Sequence, residues 1–318
     1  MKRAKDYFWP VVGAAAVVFS FILLYREVRG LKADDVMAAF HAIRWRNYAL
    51  CALSTLVAYA ALAWYDRIAL LHLKRRLSWV FISVVSFTTY ALSHNIGASV
   101  FSGAMVRYRA YSTKGLSAAE IGVLVALCSF TFALGTVLLG GLVLTLEPDI
   151  LQRLFDVPLW TGRGLGLAML AFVALYVIGS LMHFRPLDIG GFHLVYPRPA
   201  VTARQLIAAP LELIGAAGII YFALPEAGNP GFVIVLGVFL ASFSAALLSH
   251  APGGLGVLEF VFLKAMPGIP AAKVIAALIV FRLFYLLIPL AFAIVVVVVF
   301  ERGKLADALH LRRRGDGR

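Results

Sequence analysis

Ser93-His94-Asn95-Ile96-Gly97 interrupts one long apolar run, and Ser249-His250-Ala251-Pro252-Gly253 interrupts another with the same Ser-His-x-x-Gly order. Each puts an ionisable ring and a helix-breaking glycine where hydropathy places a bilayer. Non-helical backbone is tolerated at that depth only where it is packed in protein or lines a wet cavity. The two stretches therefore mark a candidate site, and their recurrence suggests that one half of the chain echoes the other.

The surrounding composition fixes the class. The 318 residues are 62% hydrophobic and 14% charged, with a mean hydropathy of +0.91. Soluble domains run nearer about 45–50% apolar and about 25% charged. The chain is read as an all-α polytopic membrane protein, one integral domain over residues 1–318. Its polar segments, near 26–46 and 184–204 and after Phe300, leave no room for a soluble catalytic domain. The net charge of +13 sits in short clusters beside apolar runs, which fits orientation signals and anionic lipid rather than nucleic acid. Cys51 and Cys128 fall inside apolar runs and support neither a disulfide framework nor a metal site. His94 and His250 lack a nearby third donor, so no metal or other cofactor is expected.

Lys2-Arg3-Ala4-Lys5 precedes an apolar run from Trp9 to about Tyr25, read as a retained first span with a cytoplasmic N-terminus rather than a cleaved signal. Residues 31–43 suggest an amphipathic interfacial helix. A second span runs from about Tyr48 to Leu71, and Lys74-Arg75-Arg76 after it is the strongest orientation signal. Further crossings are expected near 119–146, 164–183, 205–224 and 272–300. The acidic loop with Glu147, Asp149 and Asp156 reads as external, and Arg107 and Arg109 then face the cytoplasm only if the piece entering at Trp79 turns back. The piece entering near 231 turns back likewise and returns near Lys264. The expected architecture is six full crossings plus two re-entrant hairpins entering from opposite faces, an inverted repeat with halves at about 47–160 and 200–300 and both termini cytoplasmic. Eight full crossings is the alternative, because apolar runs of about 19 residues are long enough to span.

Arg107 and Arg109 flank Tyr108, and a guanidinium fork fits phosphate bidentately. Ordinary positive-inside charge is the competing reading. An ionisable group at a helix centre costs about 2.5–3.5 kcal/mol, so His94, Glu120, Glu259 and Arg282, in or beside apolar runs with the polar amide Asn95, imply pairing or hydration. Glu259 and Arg282 read either as a structural ion pair or as contacts for a cationic headgroup and a phosphate. Asp66-Arg67 reads as a self-contained interfacial pair. Ser93, His94, Asn95 and Gly97, with Ser249, His250, Pro252 and Gly253, form the hairpin tips, where the histidines cap broken helix ends. Gly253-Gly254-Leu255-Gly256 follows no strand and is not read as a nucleotide loop.

Tyr65-Asp66, Ser93-His94-Asn95-Ile96-Gly97, Ser102-Gly103-Ala104-Met105-Val106-Arg107-Tyr108-Arg109-Ala110-Tyr111, Gly115-Leu116-Ser117, Glu120-Ile121, the run from Ser249 to Glu259, and Arg282 form a series. Together they resemble the N-terminal membrane domain of the bacterial multiple peptide resistance factors, the lysylphosphatidylglycerol synthase and flippase family, over roughly residues 47–300. The resemblance implies a translocase that moves aminoacylated phosphatidylglycerol or a related lipid between leaflets of the bacterial inner membrane. Lipid contact is expected at Asp66, Arg107, Tyr108, Arg109, Glu120, Glu259 and Arg282. The synthase half of that family has no counterpart before Arg318, so transport without enzymatic activity is expected. The expected partners are phospholipid headgroups and a separate aminoacyl-lipid synthase, with homo-oligomerisation left open. Two other readings stand beside it: an intramembrane enzyme acting on a lipid or polyprenyl phosphate with His94 or Glu120 as base, and a membrane subunit serving a separate synthase.

Overall fold

The computed structural model describes residues 33–96, 99–155, 157–182, 187–189, 192–194, 197–249 and 254–300. The expected first span at 9–25, together with Gly97, His250, Pro252 and Gly253, lies outside the described residues. Helix α1 (Ala33–His41) opens the described chain, with Asp34 and Asp35 in its first turn, and accounts for the interfacial helix expected at 31–43. The Tyr48 hydroxyl donates to the Phe40 carbonyl at 3.0 Å and ties α1 to the bundle.

Five long apolar helices follow in the pattern of crossings: α2 (Trp45–His72), α5 (Ala118–Leu146), α7 (Leu159–Leu181), α8 (Pro199–Ala223) and α11 (Ala271–Phe281), which continues through a π turn (Arg282–Leu287) to Phe300. At about 1.5 Å per residue each exceeds the roughly 30 Å of a hydrocarbon core. A sixth apolar helix, α9 (Phe232–Ser249), is long enough to cross by composition, but its contacts make it one arm of a hairpin.

The hairpins are visible in who touches whom. In the first, α3 (Trp79–Ile96) descends and α4 (Ser99–Tyr111) returns. A Cβ on Gly103 would meet Thr89 and Ser93, the Arg107 guanidinium lies over Tyr90, and the Tyr111 ring lies 5.8 Å from Phe81. Positions falling along α3 thus meet positions rising along α4, which is antiparallel pairing with both outer ends on one face. In the second hairpin, α9 pairs with α10 (Val257–Ala265). Gly237, early in α9, packs on Ile150, and Lys264, late in α10, donates to the Leu154 carbonyl at 2.6 Å. Both contacts fall on the short helix α6 (Asp149–Phe155), so both arms end on the same face.

That face is the opposite one. Arg75, just before α3, pairs with Glu120 at the start of α5 at 2.7 Å, whereas α6 follows the far end of the same α5. Long helix, broken hairpin, long helix therefore describes both 45–146 and 199–300. Among the described residues the helices give five crossings and two hairpins, so neither broken piece crosses as the eight-crossing alternative requires. One departure is small: Leu187–Ile189 and Phe192–Leu194 form an antiparallel two-stranded piece (β1 and β2) inside the segment expected to be a plain loop.

Helices α2 and α8 run antiparallel with their backbones close. A Cβ on Gly215 would lie 2.8 Å from the Ser54 carbonyl oxygen and 2.9 Å from the Ala58 nitrogen, so only glycine fits. The Cys51 thiol donates to the Ile219 carbonyl at 3.3 Å across the same seam. Cys51 and Cys128 are free and buried.

Candidate functional site

Asp66 lies two turns from the C-terminal end of α2 and is 0% exposed. Its partner is not the adjacent Arg67. Arg107 from α4 reaches it bidentately, Nη2 to Oδ1 at 2.7 Å and Nε to Oδ2 at 3.3 Å, and the Tyr111 hydroxyl donates to Oδ2 at 2.7 Å. The Cys128 thiol of α5 donates to Oδ1 at 3.4 Å. Neighbours in sequence point about 100° apart around a helix, which is why Asp66 faces inward while Arg67 turns away. Arg67 instead donates to the Leu77 carbonyl at 3.2 Å and lies over the Trp79 ring. The self-contained pair expected from sequence is thus corrected to a pair between α2 and the returning arm of the first hairpin. Arg107 is 4% exposed, so it does not stand at headgroup depth as a free phosphate fork; Tyr108 and Arg109 are the exposed members of that trio.

The tip of the first hairpin differs from its expected role as well. His94 does not cap a helix end: its ring stacks on Tyr285 of the π turn, with centroids 5.3 Å apart and planes at 19°, and its buried Nδ1 has no hydrogen-bond partner among the described residues. Ser93 donates back to the Tyr90 carbonyl at 3.4 Å. Asn95 bridges, donating to Ala91 O at 2.7 Å and across to Leu286 O at 3.1 Å. A π turn opens the regular i→i−4 ladder, and side chains reach its carbonyls here: Asn95 on Leu286 and the Tyr59 hydroxyl on Tyr285 at 2.9 Å.

At the second tip, Gly256 sits at φ +81°, a conformation favouring glycine, and starts α10. The carboxylate of Glu259, 8% exposed, closes that turn by accepting from the Gly256 nitrogen at 2.8 Å through Oε2. Its Oε1 accepts from Arg282 Nε at 3.0 Å and Nη2 at 2.5 Å. The ion-pair reading of Glu259 and Arg282 is the one realised, and it joins the hairpin to the π turn. Ser249 ends α9, and its hydroxyl donates to Ala246 O at 2.9 Å.

Glu120 stands apart from these groups. It is the third residue of α5, forms a capping box with Ser117, and pairs with Arg75 at the exposed rim. The hydrogen bond to Glu120 raises the Arg75 guanidinium above its ordinary value.

One central residue has almost no signal in the sequence. Glu212 of α8 is 1% exposed, and its carboxylate accepts from the Tyr285 hydroxyl at 2.6 Å and the Tyr65 hydroxyl at 3.4 Å. The trace it leaves is a lone acid inside Pro210-Leu211-Glu212-Leu213-Ile214, with no basic residue one turn away. Tyr90 links the pieces, its ring 6.4 Å from Tyr65 and 5.6 Å from His94 while carrying Arg107 on its face at 4.8 Å. A column of buried polar and aromatic groups thus runs from Asp66–Arg107 through Tyr65, Glu212 and Tyr285 to Glu259–Arg282. Among the described residues no three His, Cys, Asp or Glu side chains gather as a metal set.

Fold and site together define a multi-pass helical membrane protein with two opposed broken hairpins and buried charge between them. No family model matches the chain. It is 31% identical over 263 residues to the inner membrane protein YbhN of Escherichia coli strain K12, covering 82% of this chain and 80% of that protein. It is 30% identical over 291 residues to the uncharacterized protein slr0712 of a Synechocystis strain, covering 91% and 90%. The chain therefore belongs to the family of YbhN and slr0712. A more distant likeness, 26% over 290 residues, is to the phosphatidylglycerol lysyltransferase of Staphylococcus aureus strain MRSA252; it takes in 88% of this chain but 32% of that longer protein.

Proposed function

We propose that this protein is a phospholipid translocase of the bacterial inner membrane, moving aminoacylated phosphatidylglycerol or a related lipid between leaflets. The observation that carries the reading is the pair of opposed hairpins, each tied through a returning arm to a buried ion pair, Asp66–Arg107 and Glu259–Arg282. An aminoacyl phospholipid headgroup carries a phosphate and an ammonium. Each ion pair offers one cation and one carboxylate, so a headgroup can exchange partners with the pair instead of meeting bare hydrocarbon. A lateral groove of about 460 Å³ between α2 and α3, lined by Val57, Ala60, Trp64, Trp79, Ser83 and by Leu211 of α8, gives acyl chains an apolar flank. The likeness to a phosphatidylglycerol lysyltransferase supports a lipid as cargo, and the YbhN relationship supports the inner membrane. The face with Lys74, Arg75, Arg76 and Lys114 is taken as cytoplasmic by the positive-inside rule.

Vesicles holding the purified protein and labelled plain or aminoacyl phosphatidylglycerol test this directly. Protein-dependent movement of label between leaflets, slowed by Arg107→Ala and Glu259→Ala in preparations that remain monodisperse, is expected. Equal movement with and without these substitutions would sink the assignment of the ion pairs to the path. Equal movement with and without the protein would sink the translocase itself.

A further inference from the structure

Glu212 is the buried acid that neither ion pair uses. Cations accompany Asp66 and Glu259, yet among the described residues the partners of the Glu212 carboxylate are two tyrosine hydroxyls. It lies about 20 Å along α8 from the helix start, near mid-membrane. A lone carboxylate at that depth is costly when charged and cheap when neutral, and such residues in membrane proteins mark proton or ion steps.

The partners suit both protonation states. Ionised, the carboxylate accepts from Tyr285 at Oε1 and Tyr65 at Oε2. Neutral, it keeps the short Tyr285 bond at Oε1 and turns its own O–H from Oε2 toward the Tyr65 oxygen, which is 3.4 Å away; a hydroxyl accepts as readily as it donates. In both states each carboxyl oxygen keeps a tyrosine partner.

A second observation is independent of Glu212. On α3, Ser86 Oγ, Thr89 Oγ1 and His94 Nδ1 are buried with no hydrogen-bond partner among the described residues. They fall with Tyr90 and Ser93 at helical spacings of three and four, so they form one stripe ending at the ring stacked on Tyr285. Unpaired buried polar atoms in a row are positions for water.

We propose that Glu212 is a proton-binding site of the membrane interior, loaded through water held along the α3 stripe, and that its loading couples proton movement to the lipid step. The coupling clause rests on the translocase reading; the site itself does not. In the step, hydronium gives one proton to Oε2 and leaves water, and release reverses it. The described groups that face Glu212 are few. α2 contributes Tyr59 and Tyr65, with Asp66 next in line and already neutralised by Arg107 of α4. The π turn contributes Tyr285, while Tyr90 and His94 of α3 stand one ring further off, against Tyr65 and Tyr285, Cys128 of α5 is bonded to Asp66, and Arg282 is held by Glu259. From α7, Tyr176 is engaged by Gln205, and α9 carries no titratable side chain.

Infrared difference spectroscopy of the purified full chain, stepped through pH, decides the site. A carboxylic C=O band that grows on acidification and is lost in Glu212→Gln is expected. Tyr285→Phe, which keeps the carboxyl group but removes a donor, should shift the pH at which the band appears. A Glu212-dependent band that never changes with pH, or no such band at all, overturns the proposal. The amide of Glu212→Gln can still accept from Tyr285, and size-exclusion profiles report whether each variant is folded. In vesicles, a pH gradient should change lipid movement in the wild type and not in Glu212→Gln; an equal response in both overturns the coupling. If no preparation moves lipid, the translocase reading falls and the infrared result alone decides the site.

Discussion

Arg107 Nη2 lies 2.7 Å from Asp66 Oδ1, and the pair joins the returning arm of one hairpin to a helix that crosses the membrane. Both side chains are almost wholly inside the protein. Removing one partner alone leaves the other charged, buried and unpaired, which typically costs about 3–5 kcal/mol. Arg107→Ala and Asp66→Ala should therefore each lower the melting temperature of the detergent-solubilised protein strongly. The double replacement Asp66→Leu with Arg107→Met should recover part of that loss, since an apolar pair escapes desolvation while the buried Tyr111 hydroxyl loses its acceptor. Additive losses in the double variant would show that the two charges are not coupled.

Glu259 and Arg282 should respond unequally. Glu259→Ala removes the guanidinium's carboxylate partner and also the acceptor that closes the Gly256 turn, whereas Arg282→Ala leaves the turn closed. Glu259→Ala is expected to cost about 3–5 kcal/mol and Arg282→Ala visibly less. Gly256→Ala, forced to φ +81°, should cost about 1–2 kcal/mol without touching the ion pair. Thermal unfolding of the three variants in one detergent gives the ranking.

The seam between α2 and α8 makes a prediction about size alone. Gly215→Ala places a methyl group against the backbone of Ser54 and Ala58 and should destabilise by about 1–3 kcal/mol. Gly122→Ala and Gly164→Ala, where an added Cβ meets nothing within 4 Å, should be neutral or stabilise by up to about 1 kcal/mol. A similar penalty at all three positions would show that close packing at the seam is not what selects glycine.

Sidedness separates the two topologies in cells. Native Cys51 and Cys128 are buried, so single cysteines introduced at exposed positions report alone. Ser78→Cys and Thr113→Cys bracket the first hairpin and should both resist an impermeant thiol reagent until cells are permeabilised, while Lys273→Cys reacts from outside. If Ser78 and Thr113 label from opposite sides, α3 crosses and the hairpin does not exist.

Much of the fold is legible in the residues, and what is not has a physical reason. Polar breaks inside apolar runs point to the hairpins, because glycine and ionisable groups persist at bilayer depth only where protein or water surrounds them. Arg282 points to Glu259 because no loop is near enough to solvate it. The partner of Asp66 is hidden, since proximity along a helix is not proximity around it, and the true partner lies 41 residues away. Arg107 and His94 stand out as unusual in the sequence, yet their surroundings are set by distant elements for the same reason. Glu212 is silent because one acid in a long apolar helix changes hydropathy little; what matters is the company it keeps, and Tyr65 and Tyr285 come from distant parts of the chain.

The π turn at Arg282–Leu287 has a mechanical meaning of its own. Widening the winding there changes the phase of the last helix, so its two ends address different neighbours: upstream, Val274, Ala277 and Phe281 are sealed inside the bundle, and downstream, Phe292, Val295 and Val299 are turned outward. Rewinding that turn to ordinary α geometry would rotate the remainder by roughly one residue, about 100°. The Tyr285 hydroxyl and the carbonyls held by Tyr59 and Asn95 sit within the segment that would turn. The last helix is thus built as two keyed shafts joined at a coupling, and the groups that clasp the coupling come from both halves of the protein.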